Sequence, residues 1–493
     1  MPRTHSPSPV SSRSRERILV AVLGLAAMVV SMMQTLVVPV LGVIQDDLRA
    51  TAADTSWLTS ATLLSAAVCT PLLGRLADQY GTKPVLIGVL TVTLAGSVLG
   101  ATAGTLPWLI VARALQGAST AVFALAQSVL RNELPARRLP GSMGLISGTL
   151  AFGNGLALVG AGLLTQGPAP DYHRVFWAAA VLSGLALIAT AVAVPHTGAP
   201  GGGRTDWLGA VLLAAMLTLL LLPLSRVAVW GWASGTTLGC FAGSAVTAAV
   251  WALVERRVRD PLVDLRVFAL RTVVFANLVG FLLGFAMFSQ FLGTSALVQL
   301  PGAPAGYGFD ATVLRASVGY LLPPAVASLI AAQVAGALAR RLGARRTLAS
   351  GAAFGVVGFA LLAFAYGRPA SVLTGGVLVG IAIAFGFATL PAVLLDAVPR
   401  AQTGVANGIN SVCRSVGSAV ASALLGTLLA ATARSGVPAE SHFTLAFGLA
   451  GGAFAVVVAV ALRGLRAPRT VDARPGGSHA DRAGEAHTAS TTP

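Results

Sequence analysis

Two arginines stand inside long apolar runs of this chain. Arg414 lies about twelve residues, or ~18 Å at the ~1.5 Å rise of a helix, into the run 402–432, and Arg113 lies near one end of the run 106–130. A guanidinium in an apolar environment is costly and marks a functional position by default. Around the pair the runs offer uncharged amides: Gln34, Gln116, Asn154, Gln290, Asn407 and Asn410. Such groups either contact a ligand or hydrogen-bond one helix to the next. The groups that do acid–base work lie elsewhere. All six histidines and the carboxylates sit at run ends or outside the runs. Asp46, Asp47 and Asp54 flank the outer end of the first two runs, and Asp78, Glu133 and Asp396 mark inner ends. Arginines without buried carboxylates favour an anionic or strongly hydrogen-bonding ligand, with neutral compounds still in scope. A structural or coupling role for Arg113 and Arg414 is equally open. Any proton movement would fall to Asp54 or to Asp46 and Asp47.

Other chemistries find no support. The chain's single lysine, Lys83, stands between Thr82 and Pro84, so the Gly-Lys-Ser/Thr of a phosphate-binding loop is missing. No H-E-x-x-H or G-x-S-x-G occurs. Cys69, Cys240 and Cys413 fall inside apolar runs and read as small buried hydrophobes, neither a metal cluster nor a disulfide framework. An enzyme, a nucleotide-driven pump and a bound cofactor or metal are therefore not expected.

The elements that position these residues follow from composition. Of 493 residues, 55% are hydrophobic and 10% charged, with mean hydropathy +0.80. Soluble domains carry about 25% charge, so this chain is an integral membrane protein. Its net charge of +16 is clustered between apolar runs, as in loops facing an anionic leaflet, and gives no reason to expect nucleic acid. A window of ~20 apolar residues finds runs at 18–44, 56–76, 84–103, 106–130, 141–165 and 174–195. A Gly/Pro-rich linker, 196–206, precedes runs at 207–224 and 234–254, and a charged connector, 255–271, follows. The last runs are 272–299, 313–336, 345–366, 371–395, 402–432 and 442–462. The expected architecture is all-α, with fourteen transmembrane helices in a 6+2+6 arrangement. Its parts are a tail (1–17), an N-terminal six-helix bundle (18–195), two added helices (207–254), a C-terminal bundle (272–462) and a disordered tail (463–493). Clusters such as Arg137–Arg138, Arg256–Arg257, Arg340–Arg341 and Arg345–Arg346 share one side with both Arg-rich tails. The opposite loops hold fewer basic residues, Arg49 and Arg174 among them. Both termini are thus expected in the cytoplasm.

An internal repeat sharpens the expectation. "GRLADQYGTKPVL" (74–86) returns as "GALARRLGARRTL" (336–348), with Gly336 on Gly74, Leu338 on Leu76, Ala339 on Ala77, Gly343 on Gly81 and Arg345 on Lys83. Each copy follows the second span of a six-span block, as in a duplicated transporter with its substrate between the halves. A weaker echo pairs "GLISG" (144–148) with "GVANG" (404–408), a spacing that lets two backbones approach.

Residues 74–86 resemble the hallmark cytoplasmic loop of the major facilitator superfamily. "WLIVARALQGAS" (108–119) resembles the fourth-span motif of its drug:proton antiporters. "PLVDLRVFALRTVVFAN" (261–277) and "GVANGINSVCRSVGSA" (404–419) resemble its fourteen-span branch. The resemblance implies a secondary transporter of the plasma membrane, working by alternating access on a small amphipathic compound, such as an antibiotic, in exchange for protons. It implies no partner beyond substrate, protons and lipid, and no obligatory oligomer. It also implies a gate made by Gly74, Arg75, Asp78, Gly81 and Lys83, with Arg75 and Lys83 at the lipid surface and Asp78 facing the start of span 13 near Gln402 and Thr403. Three departures stand out. Met33 replaces the acid that opens the family's span-1 pattern, the fifth-span Gly-Pro motif is degraded to "GNGLALVGAG" (153–162), and Thr82 replaces a basic residue. An uncoupled facilitator or importer on the same fold, or a non-transporting sensor, therefore stays in view.

Overall fold

The structure is a computed structural model describing residues 9–37, 40–50, 52–135, 137–165, 171–195, 206–258, 261, 263, 265–300, 302, 307–398, 403–430 and 438–463. Among these, fourteen helices are long and apolar enough to cross a membrane, and no strand occurs. They are α1 (Pro9–Thr35), α2 (Ala52–Tyr80), α3 (Thr82–Thr102), α4 (Leu106–Glu133), α5 (Leu139–Leu164), α6 (His173–Ala193), α7 (Trp207–Trp230), α8 (Gly235–Glu255) and α9 (Arg271–Gln299). After them come α10 (Val313–Ala316, a π turn Ser317–Leu321, then Leu322–Leu342), α11 (Ala344–Phe364), α12 (Pro369–Ala397), α13 (Thr403–Ala430) and α14 (Glu440–Arg463). Short helices Leu41–Leu48 and Leu265–Phe268 lie between them.

The packing repeats. In the first lobe α1 lies on α5 and α6, α3 on α4 and α6, and α2 on α4. In the second, α9 lies on α13 and α14, α11 on α12 and α14, and α10 on α12. Adding eight to each helix number converts one pattern into the other. The lobes meet along two seams, α5 with α10 and α13 with α2, which the same operation exchanges.

Both seams are built on the paired G-x-x-x-G stretches. A Cβ on Gly144 would stand 2.5 Å from the Ala332 carbonyl, and one on Gly148 2.9 Å from the Ala332 Cβ. On the other seam a Cβ on Gly408 would stand 3.1 Å from the Cα of Pro71. Small residues replace side-chain bulk with backbone contact, the means by which helices associate where lipid removes the hydrophobic drive.

The two repeated turns are also alike. α2 gives way to α3 at Gly81 (φ 95°, ψ 146°) and α10 to α11 at Gly343 (φ 83°, ψ 155°). This backbone region is essentially glycine's alone. In both turns the glycine N–H donates 3.0 Å to an alanine carbonyl, Ala77 or Ala339. The turn is thus one residue long. The sequence window ended these helices at residues 76 and 336, short of the charges Asp78 and Arg340, but a helix continues through charges and stops where the backbone must leave the α region. For the same reason the first span ends at Thr35, not near residue 44: α1 breaks ahead of Pro39, which has no N–H to continue a ladder, and the chain resumes as Leu41–Leu48.

The added helices lie against one seam only. Leu213, Leu217, Leu221 and Leu224 of α7 are buried against Ala67 of α2 and Val412, Ala419 and Ala423 of α13. Two polar contacts tie down the far end: Arg226 stacks 4.5 Å from the Trp57 ring centroid, and Trp232 Nε1 donates 3.1 Å to Thr427 Oγ1. α8 packs on α7 and presents Leu238, Val246, Val250 and Leu253 outward.

Candidate functional site

Between the lobes lies an open cavity of about 70 Å³. From the first lobe Thr35 at the end of α1, and Asn154, Gly155 and Leu158 of α5, face it. The second lobe contributes Met287, Phe288, Gln290 and Phe291 of α9, Leu321, Pro324, Ala325 and Ser328 of α10, and Gly380 and Ile383 of α12. The π turn of α10 lies at this wall, ahead of Pro323 and Pro324, whose missing N–H groups break the regular ladder. Among the described residues no lining side chain is charged. Its hydrogen-bonding groups are two amides and two hydroxyls. Asn154 Oδ1 is buried with no hydrogen-bond partner. Gln290 Nε2 donates 3.1 Å to the Gly376 carbonyl, Thr35 Oγ1 donates 3.3 Å to the Asn154 carbonyl, and Ser328 Oγ donates 2.8 Å to the Gly380 carbonyl. The surface is apolar and aromatic, with fixed polar points that orient a ligand.

The arginines lie off this lining. Arg113 is 1% exposed and held entirely within the first lobe. Its Nη1 donates 2.7 Å to the Met33 carbonyl and 2.7 Å to Gln116 Oε1, and its Nε donates 3.3 Å to the Leu58 carbonyl. Gln116 Nε2 in turn donates 2.9 Å to Ser97 Oγ. Arg414 lies where the lobes face one another: its guanidinium is 5.5 Å from the Phe123 ring of α4 and 5.3 Å from the Phe387 ring of α12, and Nη2 donates 2.8 Å to Ser411 Oγ. Aromatic faces on both sides partly replace the hydration a guanidinium loses at depth. Of the remaining amides, Gln34 is half-buried beside Thr35 and outside the lining. Asn410 Nδ2 joins α13 to α9 through the Ala276 carbonyl at 3.0 Å. Asn407 is buried with Nδ2 unpartnered. Of the sequence candidates, Asn154 and Gln290 meet at the cavity; Thr35, Phe288, Phe291 and Ser328 join them without a prior sequence signal.

Residues 23–319 and 278–490 match the Major Facilitator Superfamily. The chain belongs to that superfamily. It is 31% identical to a cephamycin export protein of Amycolatopsis lactamdurans, over 82% of this chain and 83% of the relative. It is 28% identical to a tetracenomycin C resistance and export protein of Streptomyces glaucescens, over 82% and 74%. An MFS-type transporter of Mycobacterium tuberculosis shares 30% identity over 73% of this chain, which spans about half (50%) of that relative's length. Among solved structures, the human organic anion transporter MFSD10 superposes with TM-score 0.63, covering 90% of this chain and 99% of that one at 14% identity. The fold is that of a major facilitator transporter.

At the superfamily's loop motif, Gly74 is buried, Arg75 is half-buried with Nε unpartnered, and Asp78 is half-buried in the last turn of α2. Lys83, expected at the lipid surface, is instead only 6% exposed. Its counterpart Arg345 donates through Nε, 2.7 Å, to the Ala461 carbonyl in the last turn of α14, where a cation suits the helix dipole. Gln402 and the Thr403 side chain, the expected partners of Asp78, lie outside the described residues.

At the opposite end Asp46, Asp47 and Asp54 are exposed. Tyr172, beside them, donates 2.9 Å to the Ala103 carbonyl; burial, then the charges of Asp47 and Asp171, push its phenol up to about 12. Burial works against ionised Asp171, but hydrogen bonds from the His173 ring and backbone N–H, with the charges of His173 and Arg174, outweigh it and hold the carboxyl below its ordinary value.

Two buried carboxylates were not anticipated. Asp206 (8% exposed) caps α7 through the Gly209 N–H at 2.8 Å, and Glu255 (3%) ends α8 and accepts 3.4 Å from the Val263 N–H. An aspartate directly before an apolar run is the sequence mark of such a cap.

Proposed function

We propose that this superfamily member exports a small, amphipathic, predominantly neutral organic compound, such as a natural-product antibiotic, across the plasma membrane by alternating access. The observation carrying this reading is the uncharged, aromatic cavity between two lobes of matching packing, with Asn154, Gln290, Thr35 and Ser328 as its polar points. Anionic substrates become less favoured than sequence alone suggested, because Arg113 is spent within its own lobe and Arg414 lies between two rings. The export direction draws on relatives named for cephamycin export and for tetracenomycin C resistance and export. Both termini lie in the cytoplasm on this reading, since the Arg-rich loops share their side. Protons are the proposed counter-ion, taken up at the outer mouth by Asp54 or by Asp46 and Asp47. In the same reading Asp78 and its neighbours close the inner gate while the outer mouth is open.

One observation favours a second reading, an uncoupled facilitator: Met33 places a thioether, 4.0 Å from Ser97 Oγ, at the family's span-1 acid position, and Arg113 bonds its backbone carbonyl instead. Inverted vesicles holding a pH dye separate the two. Substrate-evoked proton release from energised vesicles supports exchange, and substrate equilibration indifferent to the gradient supports the facilitator. Bound ligand with neither response would refute transport itself.

A further inference from the structure

A second cavity, of about 340 Å³, shares no lining residue with the first. It opens between the added helices and the C-terminal lobe, with Leu213 and Met216 of α7, Trp251 of α8, Phe281 of α9 and Val412 and Val416 of α13 among its walls. Among the described residues none of its lining side chains is charged. We propose that this cavity holds an acyl chain of an anionic phospholipid, drawn from the leaflet at the Arg-rich end of the bundle, with the headgroup on Arg256 and Arg257.

Three features select that occupant. The walls are hydrocarbon, and an unfilled apolar void forfeits dispersion contacts that a chain from the adjoining lipid supplies. Trp251, whose ring lines one wall, has its Nε1–H buried behind that apolar surface with no hydrogen-bond partner. An ester carbonyl at the glycerol level would accept from it, and Trp251 stands five and six residues before Arg256 and Arg257, about 8–9 Å along a helix axis. A lipid whose ester group approaches Trp251 therefore carries its headgroup toward the two arginines. The rim itself is basic. Arg256, Arg257, Arg266 and Arg271 are exposed, whereas the nearby carboxylates of Asp206 and Glu255 turn inward onto the N–H groups of Gly209 and Val263. An anionic headgroup therefore meets guanidinium charge, with the carboxylates of Asp206 and Glu255 facing away from it.

The site also touches both lobes. Pro71 of α2 reaches its wall, and Pro71 is the residue on which Gly408 of α13 closes the seam. A chain seated here fills the space beside the moving contact, so occupancy links lipid charge to the ease of lobe rocking.

The test uses the full chain in nanodiscs containing either phosphatidylglycerol or phosphatidylcholine with brominated acyl chains. The readout is the quenching assigned to Trp251, taken as the difference between wild type and Trp251→Phe. Each arginine near an anionic headgroup contributes about fivefold in affinity, corresponding to roughly 1 kcal/mol. Quenching by brominated phosphatidylglycerol is therefore expected at about 25-fold lower mole fraction than by the choline lipid. Arg256→Gln with Arg257→Gln, both at exposed positions, should abolish that preference, and Val412→Phe should reduce quenching by both lipids. Equal quenching by the two lipids in wild type overturns the proposal. So does a preference untouched by the arginine pair, or displacement of both lipids alike by a hydrophobic transport substrate.

Discussion

The guanidinium of Arg113 donates 2.7 Å to the backbone carbonyl of Met33, across from α4 to α1. The Met33 side chain is 1% exposed, and Ser97 Oγ lies 4.0 Å from its sulfur. Arg113 thus does with a carbonyl and an amide what an ion pair would do with a carboxylate. Removing it strands the Met33 carbonyl and Gln116 Oε1 in an apolar setting, and hydrogen bonds to charged groups contribute about 1.5–3 kcal/mol each. Arg113→Ala should lower the thermal midpoint in detergent markedly. Arg113→Lys should recover only part of the loss, because an ammonium cannot span three acceptors as a planar fork does. Met33→Asp should be tolerated, and should steepen the pH dependence of transport by placing a titrating group beside the arginine. Pulse measurements of uptake into inverted vesicles from pH 5.5 to 8.5 read this out, and an unchanged profile would show that an acid at position 33 does not couple to transport.

Gly81 and Gly343 should respond alike to substitution. Each sits at positive φ with ψ near 150°, a conformation that costs a non-glycine residue about 1–3 kcal/mol. Gly81→Ala and Gly343→Ala are expected to destabilise by similar amounts in denaturant titrations. A large effect at one turn and none at the other would deny their structural equivalence.

The lobe seams give a different signature. A Cβ at Gly144 meets the Ala332 carbonyl at 2.5 Å, against backbone that cannot rotate away. Gly144→Ala should cost about 1–3 kcal/mol, the usual price of overpacking, and should slow transport more than it weakens substrate binding. Comparing equilibrium binding with transport rate checks this, and parallel losses would point to a damaged cavity instead.

Tyr366, between α11 and α12, donates its hydroxyl to Glu440 at the start of α14. Burial, followed by the hydrogen bond and charge of Glu440, pushes its phenol up to about 12. A raised folded value favours the protonated form, so the contact contributes fully below pH 10, the ordinary tyrosine value, and is lost as pH rises through 12. The tyrosinate absorbance titration of wild type minus Tyr366→Phe should show one group ionising near 12. Ionisation near 10 would show that the contact does not form.

Much of this molecule was legible before any coordinates. The fourteen spans, their 6+2+6 grouping and the repeated turn follow from hydropathy and glycine placement, because bilayer thickness and backbone geometry leave few alternatives. Helix ends were less legible. Asp78, Lys83, Arg340 and Arg341 look like loop residues by charge, yet only a glycine leaves the α region there. Spans 7 and 8 are both apolar in sequence; that α7 buries a leucine ridge against α2 and α13 depends on tertiary contact, which apolarity cannot distinguish from contact with lipid. Arg113 and Arg414 drew notice for their charge, while most of the cavity is hydrocarbon and aromatic, in a chain where such residues are everywhere. Asn154 and Gln290 were visible as polar exceptions; Ser328 and Thr35 were not, since helical hydroxyls ordinarily bond their own backbone.

The most direct test of the two-lobe account places a single cysteine at Asn154, with Cys69, Cys240 and Cys413 replaced by serine. A membrane-impermeant maleimide is then offered from each face of oriented vesicles, with and without substrate. The account predicts that position 154 reacts from either face, with substrate shifting the balance between them. Reaction from one face only, whatever the ligand, would contradict a cavity that opens alternately to both sides.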